Sequence, residues 1–334
     1  MLISPSMRLT AALIFSALAA LAMGPLILPI LRRLKAGQTI RAEMHAAHQA
    51  KAGTPTMGGL IFAIPAGLAT LLFAPREGDA LIRMLIATIL TLGHGAVGFA
   101  DDYIKVVLKR SLGLRARDKL LAQVALAAIL GYGAIELLNL GTAVTIPYVN
   151  YTITLGKPLY YILVYIIVGG FANAVNFTDG LDGLLAGCSI IVFTFYAIFV
   201  CAVKGYWDLA TLSVSIVGGC FGFLRYNAHP AKVFMGDVGS FALGGALAAL
   251  AVLTKTEFLA VIVGGLFVAE MLSVVLQVAS FKLTGKRIFK MAPIHHHFEL
   301  LGWSEGKVLR WFWTTCVVLA VLAWFALPGW IIPR

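Results

Sequence analysis

Ten stretches of this chain are apolar over the length that a bilayer demands, and most of its charges fall in the gaps between them. A hydrocarbon core about 30 Å thick needs about 20 apolar residues per helix. Candidate spans fall at roughly 9–31, 57–75, 81–100, 119–138, 158–176, 183–203, 208–225, 239–254, 257–280 and 308–329. Backbone polar groups inside lipid must be satisfied within the segment, so such spans are helices. Only 12% of residues are charged, half of the roughly 25% usual in soluble domains. A water-soluble enzyme, a disordered regulator and a coiled coil are therefore excluded. The expected fold class is an all-α polytopic membrane protein of ten transmembrane helices, one integral membrane domain over residues 1–334.

The basic residues set the orientation. Nineteen of the 26 Lys and Arg residues lie in the gaps after odd-numbered spans and seven lie elsewhere. Cytoplasmic loops carry the excess of Lys and Arg, so the odd gaps are expected inside and both termini outside, on the periplasmic face. The first span is too long for a signal peptide, and Arg32, Arg33 and Lys35 follow it. The net charge of +11 forms no continuous basic face, so no nucleic acid is expected as a partner. Cys188, Cys201, Cys220 and Cys316 sit inside apolar runs without a C-x-x-C pair and read as small buried hydrophobes. Gly169-Gly170 and Gly218-Gly219 read as close helix contacts. The outer segment 142–155 is rich in β-branched and aromatic residues, and it is expected to form a small hairpin turning near Tyr148-Val149-Asn150, a cover over helix ends.

The chemistry-bearing residues collect in the inner gaps. Asp101-Asp102 stands at the end of the third span, where two carboxylates meet the negative end of a helix dipole and need a cation, Lys105 or a metal. Asn173-Ala-Val-Asn-Phe-Thr-Asp-Gly-Leu-Asp-Gly183 joins spans five and six, with Asp179 and Asp182 each before a glycine. Phe234-Met-Gly-Asp-Val-Gly-Ser240 opens the eighth span; its glycines and serine suit an anion at a helix start, and Asp237 suits Mg²⁺. Met291-Ala-Pro-Ile-His-His-His-Phe-Glu299 lies in the last inner gap. Pro293 there argues for extended or turning backbone, and consecutive histidines diverge too much to chelate one zinc, so phosphate contact or proton transfer is expected. The aromatic and cationic segment 281–290 suits an anionic lipid surface. Carboxylates, cations, histidines and glycine-rich helix starts beside lipid are the means of moving a phosphoryl group from a nucleotide to a membrane acceptor. An ion-coupled transporter would place such acids near the midplane, with inverted repeats; here they lie at one face, without a repeat.

These blocks, together with Lys51–Gly59 (KAGTPTMGG) and Gly98–Lys105 (GFADDYIK), resemble the MraY family of phospho-N-acetylmuramoyl-pentapeptide transferases, within the polyprenyl-phosphate N-acetylhexosamine-1-phosphate transferases. PIHHHFE and TPTMGG separate that family from relatives that use UDP-GlcNAc. The resemblance implies transfer of phospho-MurNAc-pentapeptide from UDP-MurNAc-pentapeptide to undecaprenyl phosphate, giving lipid I and UMP. It implies a Mg²⁺ requirement, a homodimer and a multi-pass place in the bacterial cytoplasmic (inner) membrane, with the active site on the cytoplasmic face. By motif, it makes Asp101, Asp102, Asp237 and His295 catalytic, with Asp237 on the metal. Lys51, Asp182, Asn227 and Phe234 would take the nucleotide, Phe234 by stacking on uracil. Thr56, Lys105, Lys119, Asn173, Asn176, Asp179 and Gly180 would line the polar cavity. His296 and His297, beside His295, would face the diphosphate or the sugar-peptide.

Overall fold

A computed structural model describes residues 4–34, 53–110 and 112–327. It is organised around α8 (Gly236–Leu253), whose residues are all buried except Asp237. A helix apolar on every side belongs in the middle of a bundle, and the Ala- and Gly-rich sequence of α8 lets its neighbours come close. Two of them matter most for function: α3 (Asp79–Val106) and α5 (Lys157–Thr178) flank α8. Around these lie α1 (Pro5–Arg33), α2 (Leu60–Phe73), α4 (Ala116–Tyr132), α6 (Leu184–Phe199), α7 (Trp207–Asn227), α10 (Gly265–Thr284) and α12 (Glu305–Phe325). The short helices α9 (Glu257–Val263) and α11 (Ile294–Leu300) complete the set among the described residues. A π-turn extends α4 to Leu137 and another extends α6 to Lys204.

Nine helices among the described residues are long and apolar enough to cross a membrane. Eight of the ten expected spans appear directly as such helices. The segment expected over 57–75 is the exception, because α2 has 14 residues, about 21 Å at 1.5 Å per residue. The span expected over 257–280 is broken at Gly264 into α9 and α10, where a glycine pair leaves the helix without side-chain support. Large aliphatic side chains line the outward faces of α1, α10 and α12, a surface suited to lipid rather than to water.

The small-residue contacts are real at one of the two predicted pairs. A Cβ on Gly218 would stand 2.3 Å from Leu13 O of α1, and one on Gly219 would stand 3.1 Å from Phe62 O of α2. Gly169 and Gly170 differ: a Cβ on Gly169 would meet only Gln123 Oε1 at 3.6 Å, and one on Gly170 would meet nothing within 4 Å. The hairpin forms as expected. Strand β1 (Ala143–Ile146) pairs antiparallel with β2 (Tyr151–Thr154), Ile146 opposite Tyr151. Tyr148 in the turn donates its hydroxyl to Leu322 O, 2.8 Å away, which docks the hairpin on the end of α12.

Two polar clusters mark the opposite ends of α8. At its C-terminal end, Tyr160 donates to Glu257 Oε1 (2.6 Å) and Lys255 Nζ lies 3.1 Å from the same oxygen. Burial pushes the Lys255 amine down from its ordinary value. Its N-terminal end carries the aspartates.

Candidate active site

Asp101 and Asp102 occupy the last turns of α3, and Asp237 the first turn of α8. They are 135 positions apart in sequence and meet because α3 presents glycine where the helices cross. A Cβ on Gly98 would stand 2.0 Å from Asp237 O, and the first turn of α8 therefore lies against bare backbone. One oxygen from each of Asp101, Asp102 and Asp237 falls within 4.8 Å of the others. The expected cation is present: Lys105 Nζ lies 2.5 Å from Asp101 Oδ2 and 2.9 Å from Asp237 Oδ2. Lys119, from the start of α4, adds contacts of 3.0 Å to Asp101 Oδ1 and 3.6 Å to Asp237 Oδ2. The Leu114 amide donates to Asp101 Oδ1 at 2.7 Å. Asp101 is fully buried, whereas the Asp237 side chain is 16% exposed and the lysines 25–36%, so the basin opens at Asp237 and is rimmed by cations.

Two amides at the start of α8 already have carboxylate partners: Gly236 N donates to Asp179 Oδ2 (2.9 Å) and Val238 N to Asp102 Oδ2 (3.2 Å). Carboxylates at a helix N-terminus satisfy amides that have no partner within the helix. Gly239 serves packing instead, since a Cβ on the facing Gly59 would stand 2.2 Å from Gly239 N. Ser240 donates to Gly236 O and accepts from Asn176 Nδ2, which also donates to Asp237 Oδ1 at 2.8 Å and so orients that carboxylate.

The glycine- and threonine-rich turn before α2 has a similar structural task. Phe234 N donates to Pro55 O, Gly58 N to Phe234 O and Gly59 N to Met235 O, all within 2.8–2.9 Å. This short ladder holds the approach to α8, and it places buried Thr56 so that a Cβ on Gly236 would stand 2.5 Å from its hydroxyl oxygen. The Phe234 ring is half-buried beside the basin. Lys51 lies outside the described residues.

The turn after α5 carries Asp179, Gly180 and Asp182. Burial, with Asp237 and Asp182 nearby, pushes the Asp179 carboxyl up to about 7, against the opposing pull of the Gly236 amide. Asp182 is buried and accepts from His229 Nδ1 and Ala231 N, each at 3.0 Å. His229 also lies 3.3 Å from Glu305 Oε2. Asn227 accepts from Gly183 N and donates to Val233 O. Asp182 and Asn227, predicted for the nucleotide pocket, thus brace the loops around it through their own bonds. Asn173 turns back and donates to Gly169 O of its own helix.

The three histidines also correct the sequence reading. They lie on a helix, α11, with Pro293 directly before its first residue. Proline's missing N–H and fixed φ suit a helix start, so it marks the entry and does not prevent the turn. The expected divergence fails for one pair, since the His295 and His296 ring centroids lie 4.1 Å apart, yet each imidazole has its own partner. His295 Nδ1 faces Glu270 Oε1 (3.0 Å), His296 Nδ1 faces Glu299 Oε2 (2.7 Å), and His297 Nδ1 accepts from Lys290 N (3.1 Å). Gly180 permits the closest approach of this helix: a Cβ there would stand 2.0 Å from His295 Nε2. Glu270 was missed by the sequence reading, although an acid inside an apolar span was itself a signal.

Three oxygen donors that converge at an accessible edge are the ligand set of a hard divalent cation, so the residues present fit Mg²⁺. With lysines to receive anionic oxygens, the arrangement can bind a diphosphate and offset charge as phosphate bonds change.

A family model described as glycosyl transferase family 4 matches residues 84–255, and one described as phospho-N-acetylmuramoyl-pentapeptide-transferase signature 1 matches residues 51–62. The chain is 68% identical over 328 residues to the phospho-N-acetylmuramoyl-pentapeptide-transferase of Symbiobacterium thermophilum, with 98% of each chain covered. It is 50% identical over 319 residues to that of Desulfitobacterium hafniense (92% of this chain, 94% of the relative). It is 49% identical over 300 residues to that of Bacillus subtilis (90% and 92%).

Proposed function

From the premise that this chain belongs to the phospho-N-acetylmuramoyl-pentapeptide-transferase family, we infer that it transfers phospho-MurNAc-pentapeptide from UDP-MurNAc-pentapeptide to undecaprenyl phosphate. The products are lipid I and UMP, in peptidoglycan synthesis at the bacterial inner membrane. The observation that carries the reading is the convergence of Asp101, Asp102 and Asp237 under Lys105 and Lys119 at one end of the bundle.

Asp237, with Asp101 and Asp102 beside it, would hold Mg²⁺. Bound there, the ion supplies charge neutralisation to the diphosphate. The remaining work belongs to the chain. Lys105 and Lys119 receive anionic oxygens, which lowers the repulsion between two anionic substrates. Asn176 keeps Asp237 in orientation. Asp101 or Asp102 positions the acceptor phosphate, which attacks the phosphorus on the sugar as UMP leaves. Phe234 offers a ring face to the uracil, and the loops braced by Asp182 and Asn227 surround it. His295, His296 and His297 would serve the diphosphate or sugar-peptide, Lys51 would take the nucleotide, and Thr56 would line the polar cavity.

In this reading α2 and its extended lead-in make the tenth crossing. The aspartate end faces the cytoplasm, both termini face outward, and the protein works as a homodimer. The lysine and arginine asymmetry supports the orientation.

The test is UMP release from purified protein given Mg²⁺, undecaprenyl phosphate and UDP-MurNAc-pentapeptide. UMP and a lipid-linked sugar should form with that donor and not with UDP-GlcNAc. Turnover of UDP-GlcNAc in its place, or no UMP at all, would overturn the assignment. Exchange of label between UMP and donor in the absence of lipid would indicate a covalent aspartyl-phosphate; its failure would indicate direct attack.

A further inference from the structure

Glu270 lies wholly buried within α10, an apolar membrane-spanning helix, where an acid is costly unless it has work to do. Both of its oxygens are committed. Oε2 accepts the amide of Ile294, the first residue of α11, at 2.8 Å, and Oε1 faces His295 Nδ1 at 3.0 Å. A carboxylate offers acceptors only, so Nδ1 carries a proton, and the state of the ring turns on its other nitrogen, Nε2.

That nitrogen is buried and has no hydrogen-bond partner among the described residues. It faces Gly180, at a spot where a Cβ would stand 2.0 Å away. A lone pair can rest against the Cα–H of glycine, whereas an N–H there would be a buried donor facing no acceptor. The turn that it touches carries Asp179, whose carboxylate takes the amide of Gly236, and Gly236 precedes Asp237. A continuous line of contacts therefore runs from α10 through α11 and the 179–180 turn to the mouth of the aspartate basin.

We propose that Glu270 is a positioning residue of the transferase reaction. By holding His295 in the Nδ1-protonated tautomer, it seats the imidazole on Gly180 and keeps the Asp179 turn against the start of α8. This rests on the transferase reading above.

Glu270→Gln tests it with little change of shape. Glutamine can accept from Ile294 N and donate to His295 Nδ1, which satisfies both neighbours but moves the imidazole proton to Nε2, against Gly180. A displaced turn beside the reacting groups should lower kcat by about 30–100-fold, since misplacement near 1 Å costs on the order of 10²-fold. KM for UDP-MurNAc-pentapeptide should stay within about threefold, because uniform binding is untouched. In a His295→Ala background, Glu270→Gln should cost less than about threefold further, since residues that act through one another are not additive. A Glu270→Gln enzyme that keeps more than half of the kcat overturns the proposal. So does an equal loss in both backgrounds, the signature of general structural damage. If the unmodified protein releases no UMP, the transferase reading itself has failed, and that outcome is seen before any variant is made.

Discussion

Gly98→Ala is the sharpest test of how the aspartates are brought together. The added methyl would lie 2.0 Å from Asp237 O, 2.4 Å from Asp237 C and 2.7 Å from Val238 N. All three are backbone atoms, so no side chain can swing aside. Ordinary contact begins near 3.4 Å, so the first turn of α8 must retreat from α3 by about 1.4 Å. Val238 N now donates to Asp102 Oδ2 at 3.2 Å, and Lys105 bridges Asp101 at 2.5 Å and Asp237 at 2.9 Å. A retreat of that size takes the Asp102 bond beyond hydrogen-bonding distance and leaves Lys105 unable to serve both carboxylates. Overpacking costs about 1–3 kcal/mol of stability, whereas loss of alignment at the reacting centre costs about 10²-fold in kcat. Gly95→Ala is the matched control, one turn away on the same interface. Its methyl would meet Ala242 Cβ at 3.3 Å and Val238 O at 3.5 Å, contacts that small shifts relieve. UMP release at saturating substrates should therefore fall about 100-fold for Gly98→Ala and at most a few-fold for Gly95→Ala. Turnover above half of normal in Gly98→Ala, or equal losses in the two variants, would refute the idea that this glycine contact sets the carboxylate geometry.

Two further outcomes follow from the same site. Asp237→Asn keeps the oxygen that Asn176 donates to and leaves Lys105 paired with Asp101. The protein should stay folded by size exclusion and thermal melting, yet Mg²⁺-dependent turnover should drop by at least about 10²–10³-fold; chelation of divalent ions should silence the unmodified enzyme, and added Mg²⁺ should restore it. The Asp179 carboxyl, raised from 3.8 to about 7, binds its proton more tightly folded than unfolded. Its contribution to stability is thus full below about pH 4 and is lost as pH rises through about 7. Asp179→Asn should flatten that decline in melting temperature across pH 4–7, and an unchanged slope would show that another group is responsible.

Much of this arrangement is legible in the chain itself. Runs of apolar residues measure out the membrane helices, the β-branched segment near 142–155 announces the hairpin, and the aspartates fall at span ends that alternation carries to one side. Those are local properties, readable within a window of about 20 residues because hydropathy and turn chemistry act locally. Lys105, four residues after Asp101, was foreseeable as its partner for the same reason.

The rest depends on which backbones touch. Gly236 and Ser240 looked like part of a phosphate cradle, but Asp179 takes the Gly236 amide and Asp102 the Val238 amide, each arriving from another segment. Gly170 was read as a packing residue and faces open space, while Gly59, Gly98 and Gly239 make contacts close enough to exclude a methyl group. Glu270 and His295 find each other across 25 positions. Sequence determined that this chain is a membrane bundle with a cluster of aspartates gathered at one end. Beyond local pairs such as Asp101–Lys105, tertiary packing decided which carboxylate meets which amide, lysine or imidazole, because those pairings rest on ångström-scale approaches between distant segments that no local pattern encodes.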